Sequence, residues 1–157
     1  TDVLYAALKL LHVLAVVAWV GGMAFAHFFL RPSLAVLEPP LRLRLMAEVL
    51  RRFFAAMTAA VAVVLVSGAA MIELTASRVA ETGGRLVMPF GWTAMTVIGL
   101  LMALIFGLIR LRLYPPLRRA VDAGDGPAAA AALARVRRWV LVNLVLGVAV
   151  IGLAIAG

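Results

Sequence analysis

The chain has no cysteine, one lysine and two histidines among its 157 residues. Without cysteine there is no disulfide framework, no thiolate metal site and no CxxC redox pair, so imidazole, thioether, carboxylate and amide are the ligand groups left. Acidic charge is also scarce, with 7 Asp+Glu against 15 Lys+Arg and a formal net charge of +8. In a soluble chain that excess suggests nucleic acid. Here the arginines border apolar segments and no aromatic-interleaved basic surface accompanies them, so nucleic acid is not an expected partner. Catalytic signatures are missing too. Ser67 is followed by Gly68 in an apolar run with no GxSxG around it, and two histidines do not make the three or four ligands of a dedicated zinc site. No enzyme class is singled out.

What the chain does have is apolar surface. It is 66% hydrophobic and 14% charged, with a mean hydropathy of +1.12, far above the roughly 45–50% apolar usage of soluble domains. The fold class expected is an all-α integral membrane protein, a four-transmembrane-helix bundle forming one domain over 1–157. Its spans lie at about 3–30, 53–74, 90–113 and 138–156, lengths suited to a hydrocarbon layer of ~30 Å. Arg31-Pro32 ends the first span and Tyr114-Pro115-Pro116 stops the third. Pro39-Pro40 open the basic amphipathic stretch LRLRLMAEVLRRFF, so the second helix starts near Leu41, before the bilayer; Asp125-Gly126-Pro127 reads as a turn into the fourth helix. Asp2 in place of a basic leader and the poor cleavage site Arg31-Pro32-Ser33 make the first span a mature helix rather than a signal peptide.

Arginine sets the expected orientation. Arg31, Arg42, Arg44, Arg51 and Arg52 flank the first connection, and Arg110, Arg112, Arg118, Arg119, Arg135, Arg137 and Arg138 the third. The second has Arg78 and Arg85, offset by Glu73 and Glu81. The positive-inside rule then places the first and third connections in the cytoplasm against anionic headgroups, with both termini outside.

Both histidines fall in the first span. His12 lies on one helix face with Lys9, Val16, Trp19 and Met23, and an imidazole in a bilayer is costly enough to require a partner in the bundle interior. His27 follows His12 at about 60° around the helix and about 22 Å along it, too far for both to hold one metal ion in one subunit. Two one-electron chemistries remain open. A b haem needs axial imidazole in a slot lined by small residues, for which Gly21, Gly22, Gly68, Gly99, Gly107 and Gly147 are available, although close helix packing is the commoner use of such glycines. Copper suits imidazole and thioether, and Met71 and Met88 should lie near the outer face, where Glu73 and Glu81 attract a cation.

The stretch LKLLHVLAVVAWVGGMAF resembles the first-helix signature of the copper-resistance protein D (CopD) family of bacterial inner-membrane proteins, with His12 followed by Trp19 and Gly21-Gly22. RRFFAAMTAAVAVVLVSGAAM and FGWTAMTVIGLLMALIFGLIRLRL resemble that family's next two spans. The outline is also similar to the HemJ-type protoporphyrinogen oxidases, associated with b haem. His12 matches their first-helix histidine, whereas their third-span lysine has no counterpart among Thr93, Met95 and Thr96.

The resemblance implies a copper-handling protein of the bacterial inner membrane with His12 at its site, and the outer-face Met71 and Met88 are the further candidate metal ligands. The alternatives are a b-haem electron-transfer protein with His12, Trp19, Met23 and His27 around the cofactor, or an accessory subunit of a larger membrane complex. Two stacked haems would require a two-fold homodimer, because each histidine must face its symmetry mate. A reporter active only in the cytoplasm, fused to the C-terminus, is expected to stay silent; a strong signal there overturns the orientation.

Overall fold

Pro32, Pro115 and Pro116 stand inside sequence that is otherwise helical, where a ring without an N–H loses a hydrogen bond and collides with the carbonyl four residues back. The computed structural model describes residues 2–157. It has four helices long and apolar enough to cross a membrane: α1 Asp2–Val36, α2 Pro39–Glu81, α3 Phe90–Asp122 and α4 Gly126–Ala156. No strand occurs among the described residues.

The prolines end apolar runs, but they do not end helices. Regular turns in α1 give way at Ala26–Leu30 to a wider π turn, closed by the Arg31 N–H donating to Ala26 O five residues back. In α3 the same happens at Ile109–Leu113, where the Tyr114 N–H donates to Ile109 O. After each widened turn the prolines occupy the first positions of the next helical stretch, where an N–H is not required. The expectation that Arg31-Pro32 and Tyr114-Pro115-Pro116 act as stops is corrected accordingly: α1 continues to Val36 and α3 to Asp122. The helices therefore outrun the bilayer. At 43 residues, α2 is about 65 Å long, so its arginine-bearing start projects beyond the hydrocarbon. Gly124, at φ 70°, makes the turn into α4, whose first turn is capped by the Asp125 carboxylate accepting from the Ala128 N–H at 3.1 Å.

The first two helices pack along each other, as do α3 and α4, and α1 also touches α4. Gly91 at the start of α3 meets Gly157 beyond the end of α4, as an antiparallel pair requires. A ladder of edge-on aromatic rings crosses the centre, with Trp19–Phe106 at 6.2 Å, Phe106–Phe54 at 6.0 Å and Phe54–Tyr114 at 5.4 Å. The Tyr114 hydroxyl then donates to Ala47 O at 2.9 Å, closing the arginine-rich end of α3 onto α2. Exposed Leu14, Val17, Leu104 and Val145 are apolar, the surface a lipid solvent demands.

Outside the apolar run of α2, the Glu48 carboxylate accepts from Arg51 at 2.6 and 3.0 Å and from Arg52 at 3.0 Å. Those bonds hold its pKa down to about 2, so this anchor among the arginines stays ionised at any physiological pH.

Glycine positions give a direct test of the packing. A Cβ at Gly147 would lie 2.8 Å from Val20 Cγ2 and 3.2 Å from Met102 Cε, while one at Gly21 meets nothing within 4 Å. Gly147→Ala is expected to destabilise by roughly 1–3 kcal/mol through overpacking. Gly21→Ala is expected to be neutral or to stabilise by up to about 1 kcal/mol, since it only removes chain freedom. Unfolding of the two variants in detergent micelles measures the difference.

Candidate metal centre

Antiparallel packing of α1 on α2 brings His12 onto the stripe of α2 that carries Val64, Ser67 and Gly68. At the start of α1, Asp2 lies 3.4 Å from Arg78 and the Arg78 guanidinium sits 5.9 Å over the Tyr5 ring, pinning the two helices in this register. Lower down, His12 Nδ1 is 3.1 Å from Val64 O and 3.0 Å from Ser67 Oγ. Gly68 makes the approach possible, because a Cβ there would already stand 3.3 Å from His12 Cε1.

The contacts suit one tautomer. A carbonyl oxygen can only accept, so His12 Nδ1 carries the proton and donates to Val64 O, with Ser67 Oγ as a second acceptor. Ser67 can accept because its own hydroxyl donates back to Val63 O at 2.5 Å. In the neutral ring with its proton on Nδ1, Nε2 would hold the lone pair. This is the arrangement in which a histidine is ready to ligate a metal, its other nitrogen held by a backbone carbonyl.

The remaining candidates separate. Met71 is half-buried one turn beyond Ser67 along the same stripe of α2. Met88, also half-buried, lies in the segment between α2 and α3 at the end of the bundle where α1 begins. Trp19 and Met23, 3% and 2% exposed, are packed in the aromatic and aliphatic core. Val16 on this face is half-buried and Lys9 is exposed. His27 belongs to the opposite end: it sits in the π turn of α1 and faces a cleft against α4, beside Arg31, Arg137 and Arg138. Three guanidiniums repel a cation, so that surrounding does not suit copper.

Among the described residues no three His, Asp or Glu side chains converge as a metal cage. A copper site in this bundle must therefore draw on thioether sulfur beside imidazole. The structure gives haem no support. Of the glycines that might line a slot, Gly22 is filled by the Phe53 ring, Gly68 by His12 and Gly147 by Val20 and Met102, while Gly21, Gly99 and Gly107 have nothing within 4 Å. The first three serve close helix packing.

Sequence reasoning did not find the seat of His12. Ser67-Gly68 is visible as a small polar-glycine pair in an apolar run, but only the helix register shows that it lies opposite the histidine. Asn143 is a second polar group whose partner emerges from packing: fully buried, it donates from Nδ2 to Met102 O at 3.1 Å, tying α4 to α3.

The family model for copper resistance protein D matches residues 47–156. The chain belongs to the copper resistance protein D family. The match runs from the start of α2 through α4 and so includes the Val64–Ser67–Gly68 seat and Met71 and Met88. It begins after α1, the helix that carries His12 and the Trp19-Gly21-Gly22 signature. No curated protein and no solved structure matches the chain. A membrane protein of this family, with four apolar helices, is thus linked to copper by its family.

Proposed function

We propose that this family member binds copper within its membrane bundle and passes it on as cargo, with His12 Nε2 as the first ligand and Met71 as the second. The observation that supports this reading is the 3.1 Å approach of His12 Nδ1 to Val64 O, which suits a proton on Nδ1; in the neutral ring Nε2 would then hold the lone pair for a metal. Met71 lies along the same helix face, and soft thioether sulfur favours Cu(I). Met88, at the same end of the bundle, is assigned to capture of the ion before it reaches His12. With the arginine-rich connections in the cytoplasm of a bacterial inner membrane, this end opens to the outside.

The test is Cu(I) binding by the purified chain in detergent against a chromophoric chelator, with an absorption spectrum of the same sample. About one Cu(I) per chain is expected, weakened at least tenfold in His12→Ala and less in Met71→Leu, as expected when an imidazole and then a soft thioether are removed. No copper retention, or a Soret band with reducible α and β bands, contradicts the proposal.

A further inference from the structure

At the arginine-rich end, a cleft of about 270 Å³ opens between the π turn of α1 and the start of α4, lined by His27, Arg31, Ala134, Arg137, Arg138 and Leu141. Its charge is of one sign. Three arginines elsewhere at this end have carboxylates: Arg51, Arg52 and Arg118 reach Glu48, and Arg118 also reaches Asp122. Among the described residues, Arg31, Arg137 and Arg138 form no ion pair. Arg137 is half-buried, its Nε is shut off from solvent without a hydrogen-bond partner, and the Arg31 charge bears on it unfavourably. A sealed donor and two uncompensated like charges cost free energy that an anion placed between them would offset.

We propose that this cleft binds the phosphate of an anionic phospholipid headgroup, gripped by Arg31, Arg137 and Arg138 with His27 as an additional donor. Guanidinium forks match phosphate oxygens in geometry as well as charge. The position favours a lipid over a soluble phosphate. Arg138 stands where the apolar run of α4 begins, and exposed Phe28, Phe29 and Leu141 beside the cleft offer an apolar flank to acyl chains. Basic pockets between helices at the membrane interface take such headgroups. The proposal is independent of copper binding at His12, which lies toward the other end of α1.

The experiment is native mass spectrometry of the full chain released from micelles, titrated with phosphatidylglycerol, phosphatidylcholine or inorganic phosphate. Phosphatidylglycerol is expected to bind in preference to phosphatidylcholine, and Arg137→Gln to weaken it about tenfold. Because Arg137 is partly buried, the exposed pair Arg31→Gln and Arg138→Gln provides a second variant, expected to show a similar loss. The pair Arg112→Gln and Arg119→Gln, which removes the same charge elsewhere at this end, is expected to keep the preference. Equal losses in all variants would mean diffuse attraction and overturn the site. Displacement of the lipid by millimolar inorganic phosphate would overturn the lipid assignment.

Discussion

A bilayer offers no water to a polar group, so a hydrogen-bonding atom inside the bundle that finds a partner gains more than it would in water. The contact of His12 Nδ1 with Val64 O and Ser67 Oγ is the main instance. The Val64 carbonyl belongs to the helical ladder of α2, yet its oxygen has a second lone pair, and the missing side chain of Gly68 lets the imidazole reach it. One contact thus couples three things: the register of α1 on α2, the burial of a polar ring and the tautomer of that ring. The Asn143 bond to Met102 O performs the first two tasks for α3 and α4.

The bundle divides its chemistry between its ends. The end where α1 starts carries His12, Met71 and Met88 together with charges of both signs, among them the Asp2–Arg78 ion pair, Lys9 and Glu73. At the other end guanidiniums dominate, partly neutralised by Glu48 and Asp122 and left unpaired around His27. Between them, Trp19, Met23, Phe54, Met102 and Phe106 fill the centre with less than a tenth of their surface exposed. The two histidines look alike in the sequence, both in one apolar run, but one packs against α2 and the other lies among arginines.

Much of this was legible in the residues. Long apolar runs separated by arginine clusters specify four membrane helices, and the spacing from His12 through Val16 and Trp19 to Met23 marks the face turned inward. Two features were not legible, for physical reasons. Proline's local effect is to stop a helix; whether the chain instead widens one turn and continues depends on what lies beyond. Here Leu117 and Ala120 gain burial against α4, which repays the irregular turn at Ile109–Leu113. The separation of the histidines follows from a similar cause. A regular helix already sets them about 60° apart, and the packing places His27, in the π turn Ala26–Leu30, at a cleft with α4 while His12 meets α2. The partner of His12 depends on inter-helix register, a long-range quantity that no single segment encodes.

The most direct measurement is nitrogen NMR of histidine-labelled protein, reading the two ring nitrogens of His12 before and after Cu(I) is added. The expected result is a neutral ring with its proton on Nδ1, and a Cu(I)-induced shift confined to Nε2 while Nδ1 keeps its proton. A proton on Nε2 in the metal-free protein, or two resonances that ignore Cu(I), would contradict the role assigned to the Val64 carbonyl and with it the copper site.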